Sequence, residues 1–169
     1  TLHHMKDPLK GLKALINILE PHGFLKLGLY SKTARQHITK IKEFIKKRKI
    51  KNSTEDIRNF RELVFKKKDD HLFQKIFYSN DFYSTSMSRD LMFHVQEHYF
   101  TIPEISDMLK KLNLEFLGFR NPLIKAKFSK SFPNDKKNIS FDNWNKFELN
   151  NQDAFADMYQ FWVRKGQKI

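Results

Sequence analysis

The sequence predicts an α/β fold, on three observations. A segment with helical apolar spacing stops at Pro21-His22-Gly23 and gives way to a nearly continuous apolar run, Phe24 to Tyr30. Such a run suits a strand covered on both faces, as in a parallel sheet. A cleanly started helix at Thr101-Ile102-Pro103-Glu104 leads into Leu114-Glu115-Phe116-Leu117-Gly118-Phe119, a second strand. The chain then closes on Tyr159-Gln160-Phe161-Trp162-Val163, whose side chains favour extended backbone. With 169 residues, 40% apolar and 30% charged, the chain suits one domain with a real core.

The elements follow in order. Asp7 can cap a helix over 7–19, Pro8 suits its first turn, and Leu9, Leu12, Leu15, Ile16 and Leu19 recur at helical spacing. Gly23 ends it and the first strand begins. Ser31 opens a second helix to about Lys47, with Ile38, Ile41, Phe44 and Ile45 on its apolar side. Ser53 and Asp56 have capping-box spacing and open a third. Leu72, Phe73, Ile76 and Phe77 mark a short fourth, residues 80–86 read as a loop carrying two aromatics, and a further helix is expected from Met87 to His98. Thr101 with Glu104, and Pro103 in the first turn, start the helix that buries Ile105, Met108, Leu109 and Leu112. Residues 121–139 read as basic and irregular, with Pro122 and Pro133 as breakers, while 140–150 and 153–157 read as helical. No repeat or low-complexity linker appears. The helical middle, 32–100, therefore reads as an insertion into a layered core formed by 1–31 and 101–169.

Composition excludes several functions. There is no cysteine, so a disulfide framework, a thiolate zinc site and a cysteine nucleophile are ruled out. Apolar runs are far shorter than the roughly 20 residues a membrane span needs, and no export signal opens the chain. A soluble, cytoplasmic protein without membrane contact is the expectation. The chain starts at Thr1 and reads as a piece of something longer.

The net charge of +13 raises nucleic acid as a partner. Of the 32 basic residues only seven are arginine, the side chain whose planar fork reads base edges and phosphates. The basic residues cluster at 40–51, seven against Glu43 alone, and at Lys66-Lys67-Lys68. Solvated helix faces explain these runs, and contact with a polyanion or an acidic protein is the alternative. His94-Val95-Gln96-Glu97-His98 spells H-x-x-E-H, and on a helix its two histidines share one face at metal-ligand spacing. A zinc peptidase needs a further acidic ligand on a second helix and a larger chamber, so no metal is assigned. Tyr159 to Trp162 reads as a core strand rather than a base-stacking platform.

Several runs resemble one family. Leu2-His3-His4-Met5-Lys6-Asp7-Pro8, then a helix, then Pro21-His22-Gly23-Phe24-Leu25, is similar to the later half of a class I S-adenosylmethionine-dependent methyltransferase. Asp81-Phe82-Tyr83-Ser84-Thr85, Arg89-Asp90-Leu91, 93–98 and Met158 to Val163 resemble bacterial methyltransferase domains often fused to tetratricopeptide repeats. The resemblance implies part of a Rossmann-like sheet: the tail of the fourth strand at 1–4, then three strands in the order fifth-seventh-sixth, the last antiparallel. It implies S-adenosylmethionine as cofactor and His3 and His4 beside the reacting groups. It further implies His4, Asp7 and Tyr30 near the cofactor, and Tyr83, Arg89, His94, Glu97 and His98 on the acceptor side. The family's Gly-rich cofactor loop has no counterpart among the five glycines here. The resemblance therefore implies a chain inactive alone, whose partner is the missing N-terminal half, or a homodimer formed through the sheet edge left open. The alternative is a basic, non-enzymatic binding module.

Overall fold

The structure, a computed structural model, describes residues 2–94 and 96–166. It divides into two compact units, one of residues 1–34 and 96–169, the other of residues 35–95.

The first unit is an α/β layer. Its strands β1 (Phe24–Ser31), β2 (Tyr99–Phe100), β3 (Leu114–Phe119) and β4 (Tyr159–Lys165) lie in the order β2-β1-β4-β3. β4 is inserted between β1 and β3 and runs antiparallel to both, while β2 runs parallel to β1. Three strands thus point one way and the last points back. Period-two alternation decides which side chains go inward. Leu27 and Leu29 of β1, Phe116 of β3, and Tyr159, Phe161 and Val163 of β4 are buried, whereas Lys26 and Trp162, opposite each other, are exposed. The buried face meets Ile105 and Leu109 of the helix Ile102–Lys111, Phe128 of the helix Pro122–Ser131, and Trp144 and Phe147 of the helix Phe141–Asn150. Phe128 stacks on Trp144 with ring centroids 3.7 Å apart, and the Trp144 indole N–H donates to the Asn138 carbonyl at 2.9 Å. Such a pair adds about 0.5–1.5 kcal/mol beyond the area it buries. The first helix, Pro8–Ile18, joins this core through Leu12 and Ile16. Lys165 Nζ closes its end by donating to the carbonyls of Ile16 and Leu19.

The second unit packs the helices Gln36–Lys47 and Thr54–Lys66 with the short helix Thr85–Ser88. Two 3-10 turns, Gln74–Tyr78 and Asn80–Tyr83, and a π turn, Arg89–Phe93, complete it. Ile38, Ile41, Ile45, Phe60, Val64, Phe73, Ile76, Phe82, Leu91 and Met92 form its own core. Among the described residues no helix is long and apolar enough to cross a membrane.

Several expectations are corrected. A fourth strand joins the three, because Tyr99 and Phe100 pair with the free edge of β1 at Tyr30 and Ser31. The helix expected to reach His98 stops sooner: the π turn ends at Phe93, His94 has extended backbone angles and residues 96–98 lie in no helix, so His94 and His98 do not share a helical face. Residues 2–4 form a 3-10 turn, closed by the Met5 N–H on the Leu2 carbonyl, and not the tail of a strand. The second helix starts at Gln36 because Ser31 completes β1 and its hydroxyl accepts from the Ala34 N–H, holding a turn there. Pro122 starts a helix instead of breaking one, with Asn121 Oδ1 accepting from the N–H groups of Leu123 and Ile124. Residues 153–157 form turns, and the apolar residues near 72–77 form turns and a 3-10 segment.

Candidate functional site

The carboxyl end of β1 and the start of β2 place Tyr30 and Tyr99 side by side. The 3-10 turn at Leu2–His4 folds against β1 there, because Leu2 is drawn into the core with Leu12. His3 is thereby buried. Its ring lies 4.1 Å from Tyr30 and 4.3 Å from His4, and its Nδ1 sits 3.4 Å from the Gly28 carbonyl oxygen. The His98 N–H donates to the His3 carbonyl at 2.7 Å, and His4 Nδ1 lies 3.4 Å from the Gln96 carbonyl. Glu97 accepts from the Tyr99 hydroxyl at 2.5 Å and is close enough to act electrostatically on His3. The fold therefore gathers His3, His4, Tyr30, Glu97 and His98 into one cluster. Tyr99 belongs to it as well and was not among the expected residues.

Burial holds the His3 imidazole far below its usual range, at about 4, with nearby positive charge including His4 pressing the same way and Glu97 opposing. At neutral pH His3 is uncharged, with one N–H and one lone pair. It can orient a polar group, or take a proton as that proton is being lost, and carries no standing charge. His3 lines a hollow of about 600 Å³ with Leu15, Leu25, Lys26, Gly28 and Met158. The His98 Nε2 is buried with no hydrogen-bond partner among the described residues.

Asp7 is spent locally: its Oδ1 accepts from the Lys10 N–H at 2.9 Å and caps the first helix. Together with His98, Tyr99, Glu104 and Asp107 it lines a groove of about 390 Å³. Glu104 in turn closes the Thr101 capping box. Among the described residues, no group of three or more His, Asp or Glu side chains is placed to hold a metal ion.

Beneath the end of β1 lies a buried network. Glu148, on the helix Phe141–Asn150, is 1% exposed. It accepts from Ser31 Oγ at 2.6 Å and from the Tyr159 hydroxyl at 2.7 Å. Burial pushes its pKa up, opposed by hydrogen bonds from Ser31, Tyr159 and Thr33. Burial, then the Glu148 charge, pushes Tyr159 above its usual value. The network ties the end of β1 to the start of β4. Its signal in the sequence was a carboxylate on the apolar stripe of Trp144 and Phe147.

Tyr83, Arg89 and His94 belong to the helical unit. The Tyr83 hydroxyl donates to the Phe77 carbonyl at 3.0 Å and its ring packs on Phe82, while Arg89 donates to Thr54 Oγ1 at 3.1 Å. His94 is half-buried, just past the π turn. No protein-family model matches the sequence, and no curated protein gives a significant match.

Proposed function

We propose that this chain is the C-terminal part of a class I S-adenosylmethionine-dependent methyltransferase and is inactive by itself. The observation that supports the reading is the sheet order: β4 lies reversed between β1 and β3, as the seventh strand does between the fifth and sixth in that family. On this reading the upstream half pairs with the edge of β1 that β2 leaves open. His3, His4 and Tyr30 then border the reacting groups, outside the carboxyl end of the strand, where ligands of open α/β sheets bind. Glu97 and His98, of the same unit, lie on the acceptor side.

The glycines of this chain do not fit the cofactor. A Cβ at Gly11 would meet Met5, at Gly23 Leu19, at Gly28 Met158 and at Gly166 Asn113, all within 3 Å. These glycines make room for the protein's own side chains, and Gly118 serves an irregularity in β3. No cradle for an adenosyl group is present among them, so no step is drawn through the cofactor. What these residues supply is positioning: a buried neutral imidazole and paired tyrosines that orient a polar acceptor and exclude water.

Calorimetric titration tests the reading. S-adenosylmethionine should show no saturable binding to this chain alone. Joined to the polypeptide encoded ahead of Thr1, the chain should bind the cofactor and release S-adenosylhomocysteine on turnover. A preceding polypeptide without a strand and Gly-rich loop, or a joined protein that holds no cofactor, overturns it.

A further inference from the structure

We propose that the helical unit carries a binding surface for single-stranded nucleic acid, built from Phe65, Tyr78 and Tyr83 with Lys66, Lys67 and Lys68. Three aromatic rings are left outside the core of this unit: Tyr78 is 90% exposed, Tyr83 52% and Phe65 45%. Phe65 and Tyr83 are neighbours on one surface, and Tyr78 directly follows Phe77 in the chain. The Phe65 ring lies 6.4 Å from Tyr83 and 5.7 Å from Phe77, the residue next to Tyr78. Beneath them Phe82 is fully buried, with ring centroids 5.3 Å from Phe65 and 5.5 Å from Tyr83.

The platform is fixed from below. The Tyr83 hydroxyl donates to the Phe77 carbonyl, and Arg61 donates to the Tyr83 carbonyl at 2.7 Å and to Thr85 Oγ1 at 3.3 Å. The Arg61 guanidinium also lies over the Phe82 ring, at 5.7 Å. Three exposed lysines follow Phe65 directly, at the end of the helix Thr54–Lys66. Glu62 is exposed one turn before Phe65, and Asp70 accepts from the Leu72 N–H in the next turn. Across residues 35–95 there are 15 Lys and Arg against eight Asp and Glu.

The chemistry selects among polyanions. An acidic peptide would use the lysines and gain nothing from three exposed rings. A duplex hides its base faces in its own stack. Unstacked bases offer flat faces to rings while their phosphates meet ammonium groups, which is how sequence-tolerant single-strand binding works. Lysine in place of arginine fits contact with phosphate as a point charge, without the fork that reads base edges. This surface stands on the geometry of the helical unit alone and does not depend on the methyltransferase reading.

Fluorescence anisotropy with the whole chain and a labelled oligo-uridine of about 20 nucleotides tests it, titrated from about 50 to 200 mM salt. Binding should weaken steeply with salt. Tyr78→Ala, at a side chain too exposed to matter for folding, should raise Kd at least about five-fold. Replacing Lys66, Lys67 and Lys68 together by Ala should reduce the log–log salt slope by about 2. The proposal is overturned by absence of binding at the lowest salt, or by a duplex of equal length binding as tightly. It is equally overturned if Tyr78→Ala leaves Kd unchanged while polyglutamate displaces the oligonucleotide, since the lysines would then be serving an acidic protein.

Discussion

Two buried ionisable residues of the α/β unit push its stability in opposite directions with pH. His3 titrates at about 4 when folded against 6.5 for an unperturbed imidazole, so the folded state prefers the neutral ring. Its contribution is complete above 6.5 and is lost as pH falls from 6.5 towards 4. Glu148 is shifted the other way, above 4.5, so the folded state prefers the protonated acid. Its contribution is complete below 4.5 and is lost as pH rises through the raised value. Thermal melts should therefore separate them. The Tm advantage of the natural chain over His3→Gln should shrink on acidifying below 6.5, and that over Glu148→Gln should shrink on raising pH above 4.5. Differences independent of pH would mean that neither group is held as the geometry implies. Of this site the resemblance had His3, His4 and Tyr30 bordering one cleft, with His3 and His4 at a strand end, while composition and spacing alone did not join them. Their meeting depends on Leu2 entering the core, a contact between distant segments. Glu148 stayed hidden because a carboxylate inside an apolar stripe reads as a helix edge until its donors, Ser31 and Tyr159, are brought to it by the sheet.

Elements whose ends are set by local chemistry were legible. The caps Asp7, Ser53 and Thr101 each accept from the backbone three residues on, and each helix starts where that chemistry places it. The failures have two causes: competition from partners far along the chain, and a residue type that can act in two ways. Met87 to His98 has helical spacing, yet the helical turns end at Phe93, and Tyr99 and Phe100 are taken by β1. Pro122 misled because proline is both a breaker and a good first residue, and only the Asn121 cap decides between them. Within β3 the register shifts between Phe116 and Gly118, and Gly118 has φ of 118°, a region side chains avoid. Gly118→Ala should cost about 1–3 kcal/mol of unfolding free energy in denaturant titration. Gly28→Ala should cost less, because its new methyl meets only the movable sulfur of Met158. An equal or reversed order would show that the β3 irregularity is not held by backbone conformation.

For the whole molecule the unsettled feature of the α/β unit is an edge. β2 covers β1 only at Tyr30 and Ser31, so from Phe24 to Leu29 the backbone facing away from β4 has no strand partner among the described residues. The exposed residues of the sheet include Phe24 on β1, Trp162 on β4 and Leu117 on β3. An open strand edge of this kind recruits another strand, whether from the upstream half that the proposed function calls for or from a second copy of this chain. Two features restrain the second outcome. Lys26 sits in the middle of the edge opposite Trp162, and +13 of net charge makes two copies repel. Self-association should therefore depend on screening and on one side chain. Sedimentation velocity should find monomer at low salt and a shift towards dimer near about 1 M, where the Debye length falls to about 3 Å. Lys26→Val turns 24–30 into an unbroken apolar strand and should drive dimers or larger species at low salt, while Lys26→Arg should not. A Lys26→Val chain that sediments like the natural one at every salt concentration would mean that this edge is closed to strand pairing, and would remove the docking place that the methyltransferase reading requires for its upstream half.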